Sequence, residues 1–251
     1  MRVYLNTMFH KPRRNIVQVL VKKELGYYIN NPFGYIAICL FGIFANFIFI
    51  KDLFLINDGS MKPFFEMLVW LLLIFVPVVG MRLFADEKKL KTMELLLSLP
   101  VTISEIVSAK FLALSIFCFA TLSVTFLIPI VLLFISHPHI PTIIVSYSGV
   151  IMLIGLFSSI TLFFSSRTSS QIIALLSSLL TIFILLVMDS GFFTSLVPTF
   201  IKNIFVFISP LNYLEAFYKG ILDLRSVIFF LSTTFLFLFF TYVSVKNQHH
   251  S

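Results

Sequence analysis

Six stretches of this chain, roughly residues 33–50, 64–81, 111–135, 142–165, 171–188 and 226–245, are apolar, and Glu66 is the only Asp, Glu, Lys, Arg or His within them. A bilayer's hydrocarbon core is about 30 Å thick and takes about 20 residues of helix to cross. Lipid offers no partner to backbone N–H and C=O groups, so each crossing segment must close its own hydrogen bonds. The pattern predicts an all-α, polytopic membrane protein with six transmembrane helices. Composition agrees: 59% of the residues are hydrophobic and 12% charged, where soluble domains carry about 25% charged residues.

The distribution of Lys and Arg sets the expected orientation, because positive charge is retained on the cytoplasmic side. With the N-terminus inside, only Lys51, Lys62, Lys202, Lys219 and Arg225 of the 18 basic residues lie outside. Glu24, Asp86, Glu87, Glu94 and Glu105 fall inside, and an even number of spans returns the C-terminus to the cytoplasm. The net charge of +7 then follows from topology and an anionic inner leaflet, and no nucleic-acid partner is needed. The first thirty residues hold scattered charges and no compact apolar core, so no cleavable signal peptide is expected before the first span. Cys39 and Cys118 fall inside spans and read as packing residues.

Outside the spans, three segments carry structure. Over residues 15–28, Val17, Val21, Leu25 and Tyr28 recur at helical spacing, interrupted by Lys22, Lys23 and Glu24. Such a segment lies along the inner interface as an amphipathic helix, or else is a plain N-terminal tail. Asn30-Asn31-Pro32 then breaks it. The stretch from Arg82 to Pro100 opens with dense mixed charge and ends in the apolar run Leu95, Leu96, Leu97 and Leu99. Pro100 ends one helix, and Thr102-Ile103-Ser104-Glu105 forms a capping box for the next, with Val101 and Ile106 as its hydrophobic staple. So small a loop leaves leucines to be covered, either by a partner or by the protein's own inner surface and headgroups. In the long segment 189–225, Ser209 with Pro210 starts a helix and Lys219-Gly220 ends it. The helices there either dip into the outer interface or cap the bundle.

Several chemistries are missing. None of the nine glycines opens a phosphate-binding loop, so ATP is not bound by that device. Zinc motifs are absent, and His137 and His139 have no acid or cysteine beside them. The serines and threonines of the fourth and fifth spans, with Gly155 and Ser159 at small-residue spacing, read as helix-packing groups. So do Asn46, Thr121, Ser123, Thr125, Gln171 and Thr181. Ion-coupled carriers and voltage sensors use ionisable groups inside the bilayer. Apart from Glu66 near the outer end of the second span, none is present; backbone carbonyls and hydroxyls remain able to bind sodium, but energy for uphill transport is expected to enter from outside the membrane.

Three stretches resemble the membrane subunit of ABC-2 type ABC transporter permeases, and are similar in detail to the gliding-motility and nitrous-oxide-reductase accessory branch. They are Lys22-Lys23-Glu24-Leu25 with Asn31-Pro32-Phe33-Gly34-Tyr35-Ile36, then residues 81–101 continuing to Lys110-Phe111-Leu112-Ala113, and residues 217–227. The resemblance implies one transmembrane domain over 1–251. Its parts are a cytoplasmic N-terminus with an elbow helix (1–31), spans one and two (32–84), a coupling loop (85–104), spans three to five (105–188), an outer cap segment (189–225), and span six with the C-terminus (226–251). It implies a multi-pass protein of the bacterial cytoplasmic (inner) membrane. A separate cytoplasmic ABC ATPase would carry ATP and Mg, with no cofactor on this chain. A second permease copy completes the transporter; symmetry favours a homodimer over a paralogue. The ATPase-coupling residues implied are Asp86, Glu87, Thr92, Glu94, Leu95, Leu97, Pro100 and Val101. The elbow carries Val17, Val21, Leu25 and Tyr28, and the outer cap carries Pro210, Tyr213, Phe217 and Gly220. One departure stands out: relatives commonly have Gly before the coupling threonine, where this chain has Lys91.

The leading expectation is a transport subunit, not itself an enzyme, that exports or flips a substrate using ATP hydrolysed by its partner. A membrane platform for other envelope proteins, with little transport of its own, is the alternative. A membrane-embedded enzyme is disfavoured by the lack of any acid or nucleophile constellation.

Overall fold

The computed structural model describes residues 14–56, 61–93, 101–135, 139–188 and 205–249, and these are helices joined by short turns. In chain order they are α1 (Arg14–Asn30), α2 (Pro32–Ile56), α3 (Lys62–Gly80), α4 (Arg82–Lys89) and α5 (Ile103–Leu122). A single 3₁₀ turn, Ser123–Phe126, leads into α6 (Leu127–Ile135), followed by α7 (Ile140–Arg167), α8 (Gln171–Val187), α9 (Pro210–Tyr218) and α10 (Leu224–His249).

The breaks fall where local chemistry puts them. Between α1 and α2 the chain turns by 74°. Asn31 makes the corner, its side-chain oxygen accepting from Phe33 N at 3.1 Å, and Pro32 begins the new helix, where a missing N–H costs nothing. The capping box at α5 is complete: Glu105 N donates to Thr102 Oγ1 and Thr102 N donates to Glu105 Oε2 at 2.8 Å. Its staple residues both pack inward, Ile106 fully and Val101 in part. Ser123 and Thr125 bond back to the carbonyls of Ala120 and Leu122, and there the third apolar stretch tightens to 3₁₀.

Helix α7 is the axis of the bundle, touching α3, α4, α5, α8, α9 and α10. Its buried hydroxyls return to its own backbone, as with Ser159 to Leu156 O at 2.7 Å and Thr161 to Phe157 O at 2.8 Å. Glycines let neighbours close on it. A Cβ at Gly80 would lie 2.7 Å from Thr161, and one at Gly149 would lie 2.8 Å from the Phe217 ring. These are the packing roles expected of the small and hydroxylated residues.

Among the described residues, four helices are long and apolar enough to cross a membrane: Lys62–Lys89, Ile103–Val131, Ile140–Arg167 and Leu224–Asn247. The bent pair Ile16–Asn30 with Pro32–Phe47 brings the number to five if counted as one span. The fifth predicted segment is the apolar helix Gln171–Val187, whose 17 residues extend roughly 26 Å, slightly less than a hydrocarbon core. Apolar side chains such as Phe235, Leu231, Ile172 and Phe47 stand exposed around the bundle. The chain is an all-helical, multi-pass membrane protein.

Candidate functional site

The predicted coupling segment divides at the limit of what is described: Glu94, Leu95, Leu97 and Pro100 lie outside the described residues, while Asp86, Glu87, Thr92 and Val101 lie within them. The described part is the corner where α3 ends, and it is held on both sides.

Met81 interrupts α3, so α4 begins with its own unpaired N–H groups. Ser165 of α7 satisfies two of them, its Oγ accepting from Phe84 N at 3.0 Å and Ala85 N at 3.2 Å while donating to Met81 O at 2.8 Å. Further along the same side, Lys88 donates to Ser166 O, and the Gln171 amide at the start of α8 donates to Asp86 Oδ1. Thus α4 is fastened to the α7–α8 junction.

On its other side lies Lys110, two turns into α5 and 3% exposed. An ammonium has three N–H donors, and each finds an acceptor: Glu24 Oε1 of α1 at 2.8 Å, Glu87 Oε1 of α4 at 2.9 Å and Leu83 O at 2.7 Å. Two carboxylates around one buried ammonium leave a net negative charge, which Lys23 at 3.8 Å from Glu87 reduces from the solvent side. Arg82 adds a second cation, its guanidinium stacked on Tyr27 with Cζ 2.8 Å from the ring centroid. Tyr28 completes the packing, stacked on Phe117 at 4.5 Å and donating to Val79 O at 3.0 Å. In this way α1, α4 and α5 meet at one cation.

At the end of α4 the chain enters a left-handed turn. Lys91 has φ 55°, Lys91 N donates to Lys88 O and Thr92 N donates to Glu87 O at 2.9 Å. This is a Schellman closure, in which the left-handed position is ordinarily glycine. Gly220 takes that role after α9, with φ 77° and Ile221 N bonded to Ala216 O. Lys91 thus holds a left-handed conformation that glycine would adopt without steric cost.

The other predicted residues lie on α1, whose Tyr28 packs into this corner, and on α9 and the turn after it. Val17, Val21 and Leu25 are half-buried on the face of α1 toward α5, with Tyr28 fully buried. At the other end of α3 and α7, Pro210 starts α9 as expected, but Ser209 Oγ makes no capping bond. Tyr213 stacks on Phe229 at 4.1 Å, Phe217 is buried against Gly149, and Gly220 approaches Thr142. This helix packs on α7, α8 and α10. His137 lies outside the described residues. Among those described, no three His, Cys, Asp or Glu side chains form a metal set, and both cysteines are free.

The sequence pattern presented Glu24 as an interruption of an apolar face and Gln171 as an ordinary polar residue of a packed helix. Instead Glu24 is the buried ligand of Lys110, and Gln171 holds Asp86. Lys110 was the available signal: it lies on the face of α5 that carries Ile106, Ala113 and Phe117, all buried, and a lysine there must have acceptors.

No curated protein matches the chain in sequence. The family model described as ABC-2 family transporter protein matches residues 41–247, most of the chain and all of α3 to α9. The match takes in α4 and α5 of the Lys110 corner and the apolar helices that follow, and begins after α1 with its Glu24. By that match the chain belongs to the ABC-2 family of transporter proteins.

Proposed function

We propose that this chain is the permease subunit of an ABC transporter, exporting or flipping a substrate with ATP hydrolysed by a separate cytoplasmic ATPase. The carrying observation is the Lys110 node: the segment that would meet the ATPase, residues 86–101, is flanked by two helices joined through one buried ammonium. Load applied to the loop reaches α5 at its Thr102 cap and α4 at its Thr92 turn. From Lys110, roughly 12 Å along α5, it is shared with α1 through Glu24. On the other side, Ser165 and Gln171 pass it to α7 and α8. The corner therefore moves as a unit, and nucleotide closure of the ATPase biases the bundle by binding one of its arrangements better than the other.

In this reading the chain crosses the membrane six times with both termini cytoplasmic. Its support is the charge bias together with α2 and α8 as apolar helices beyond the four longest. Helix α1 is the elbow, 94–100 completes the coupling element, and α9 belongs to the outer cap. A second copy of the chain supplies the other half of the pathway in the bacterial inner membrane. The experiment is affinity purification of the full chain in mild detergent. A P-loop ATPase is expected to co-purify and to be lost with Leu97→Asp; a preparation free of any ATPase under conditions that keep the chain folded contradicts the proposal.

A further inference from the structure

Beside the Lys110 node, α1 and α4 enclose a groove of about 710 Å³. Two of its buried groups lack partners of opposite kinds: Arg82 Nε and Nη1 find no acceptor, and Glu87 Oε2 finds no donor. Buried charged groups left unpaired are rare and point to a missing ligand or water. The node does not account for them, since Lys110 has used all three donors on other atoms. Lys22 also lines the groove and forms no ion pair among the described residues. A ligand that carries an anionic and a cationic group together would answer both deficits.

Position says what kind of molecule it is. Arg82 directly follows the apolar helix α3, so the groove lies at the level where the chain leaves hydrocarbon for headgroups. Leu90, 70% exposed, and Tyr27, 42% exposed, give its rim an apolar edge. Glu24, Asp86 and Glu87 line it together with Lys22, Lys23 and Arg82, a mixed wall that opposes a net anionic headgroup as much as a cationic one. We propose that the groove binds a phospholipid headgroup bearing both a phosphate and a primary ammonium. Arg82 and Lys22 take the phosphate, and Glu87 Oε2 accepts from the ammonium. Tyr27 and the exposed Lys23 are the side chains that turn aside to admit it. A quaternary ammonium has no N–H to give Glu87 and is discriminated against. The proposal concerns the chain itself and holds whether or not an ATPase couples to this corner.

The test is native mass spectrometry of the delipidated full chain, titrated with phosphatidylethanolamine, phosphatidylcholine and phosphatidylglycerol of identical acyl chains. Phosphatidylethanolamine is expected to bind about tenfold tighter than either, the effect of one charge-assisted hydrogen bond. Arg82→Gln and, separately, Lys22→Gln each remove a partner of the phosphate that the three lipids share, and should weaken phosphatidylethanolamine binding about tenfold while the order among headgroups is kept. Lys22 is exposed, so its variant keeps the fold and the test stands even if Arg82→Gln does not. Equal binding of the three lipids, tightest binding of phosphatidylglycerol, or a phosphatidylethanolamine affinity unchanged in Lys22→Gln overturns the proposal. Displacement of the lipid by soluble glycerophosphoethanolamine would overturn the lipid assignment in favour of a free phosphoamine.

Discussion

Replacing Lys110 by Met keeps most of the side-chain volume and removes the charge. In the native corner, Glu24 and Glu87 are brought within 2.9 Å of one ammonium, with side-chain exposures of only 10% and 14%. Lys110→Met leaves both carboxylates buried without a counter-charge and Leu83 O without its lysine donor. Breaking a buried pair from one side costs about 3–5 kcal/mol, because the remaining charge is uncompensated. For a chain of this size that corresponds to a fall of about 6–20 °C in melting temperature. Cys118 is buried and free and follows Phe117, which stacks on Tyr28, so a thiol-reactive fluorophore on a Cys39→Ala background reads unfolding directly. The triple variant Lys110→Met, Glu24→Gln, Glu87→Gln removes all three charges and should recover most of the loss, since neutral groups replace a buried ion cluster at little net cost. A melting temperature for Lys110→Met within about 2 °C of the parent, less than 1 kcal/mol by the same scaling, would refute the claim that this ammonium joins the three helices. So would a triple variant no better than the single one.

Two further substitutions probe the same corner. Ser165→Ala strands Phe84 N, Ala85 N and Met81 O, and is expected to destabilise by about 1–3 kcal/mol in the same thermal assay, while Ser165→Thr, which keeps the hydroxyl, recovers part of it. Lys91→Gly relieves a left-handed residue and should raise stability by about 1 kcal/mol, a shift of about 2–4 °C; a loss of stability would show that the lysine side chain contributes a contact the turn needs.

The fold was legible wherever a local rule acts alone. Asn31-Pro32 marked a corner, Thr102-Ile103-Ser104-Glu105 marked a helix start, and Lys219-Gly220 marked an end, each because backbone chemistry within a few residues decides it. The span segments were legible for the same reason, since lipid forces backbone bonds to close within the segment. What escaped the pattern was long-range pairing of polar groups. Glu24 and Lys110 are 86 residues apart, and nothing in the periodicity of α1 distinguishes an exposed glutamate from one that meets a buried lysine. Gln171 and Asp86 pose the same difficulty. Ser209 shows the converse: its position at a helix start was legible, but its hydroxyl is buried without the expected bond.

The central claim is that ATP-driven movement enters through the segment that follows α4. It is tested most directly by ATP turnover of the purified complex, comparing the parent chain with Leu97→Asp, Glu94→Lys and the charge-free triple variant of the node. Coupling through this corner predicts that Leu97→Asp and Glu94→Lys change turnover several-fold while the chain remains folded, and that the triple variant, stable but unlinked, uncouples turnover from the membrane helices. Turnover indifferent to all three would contradict it.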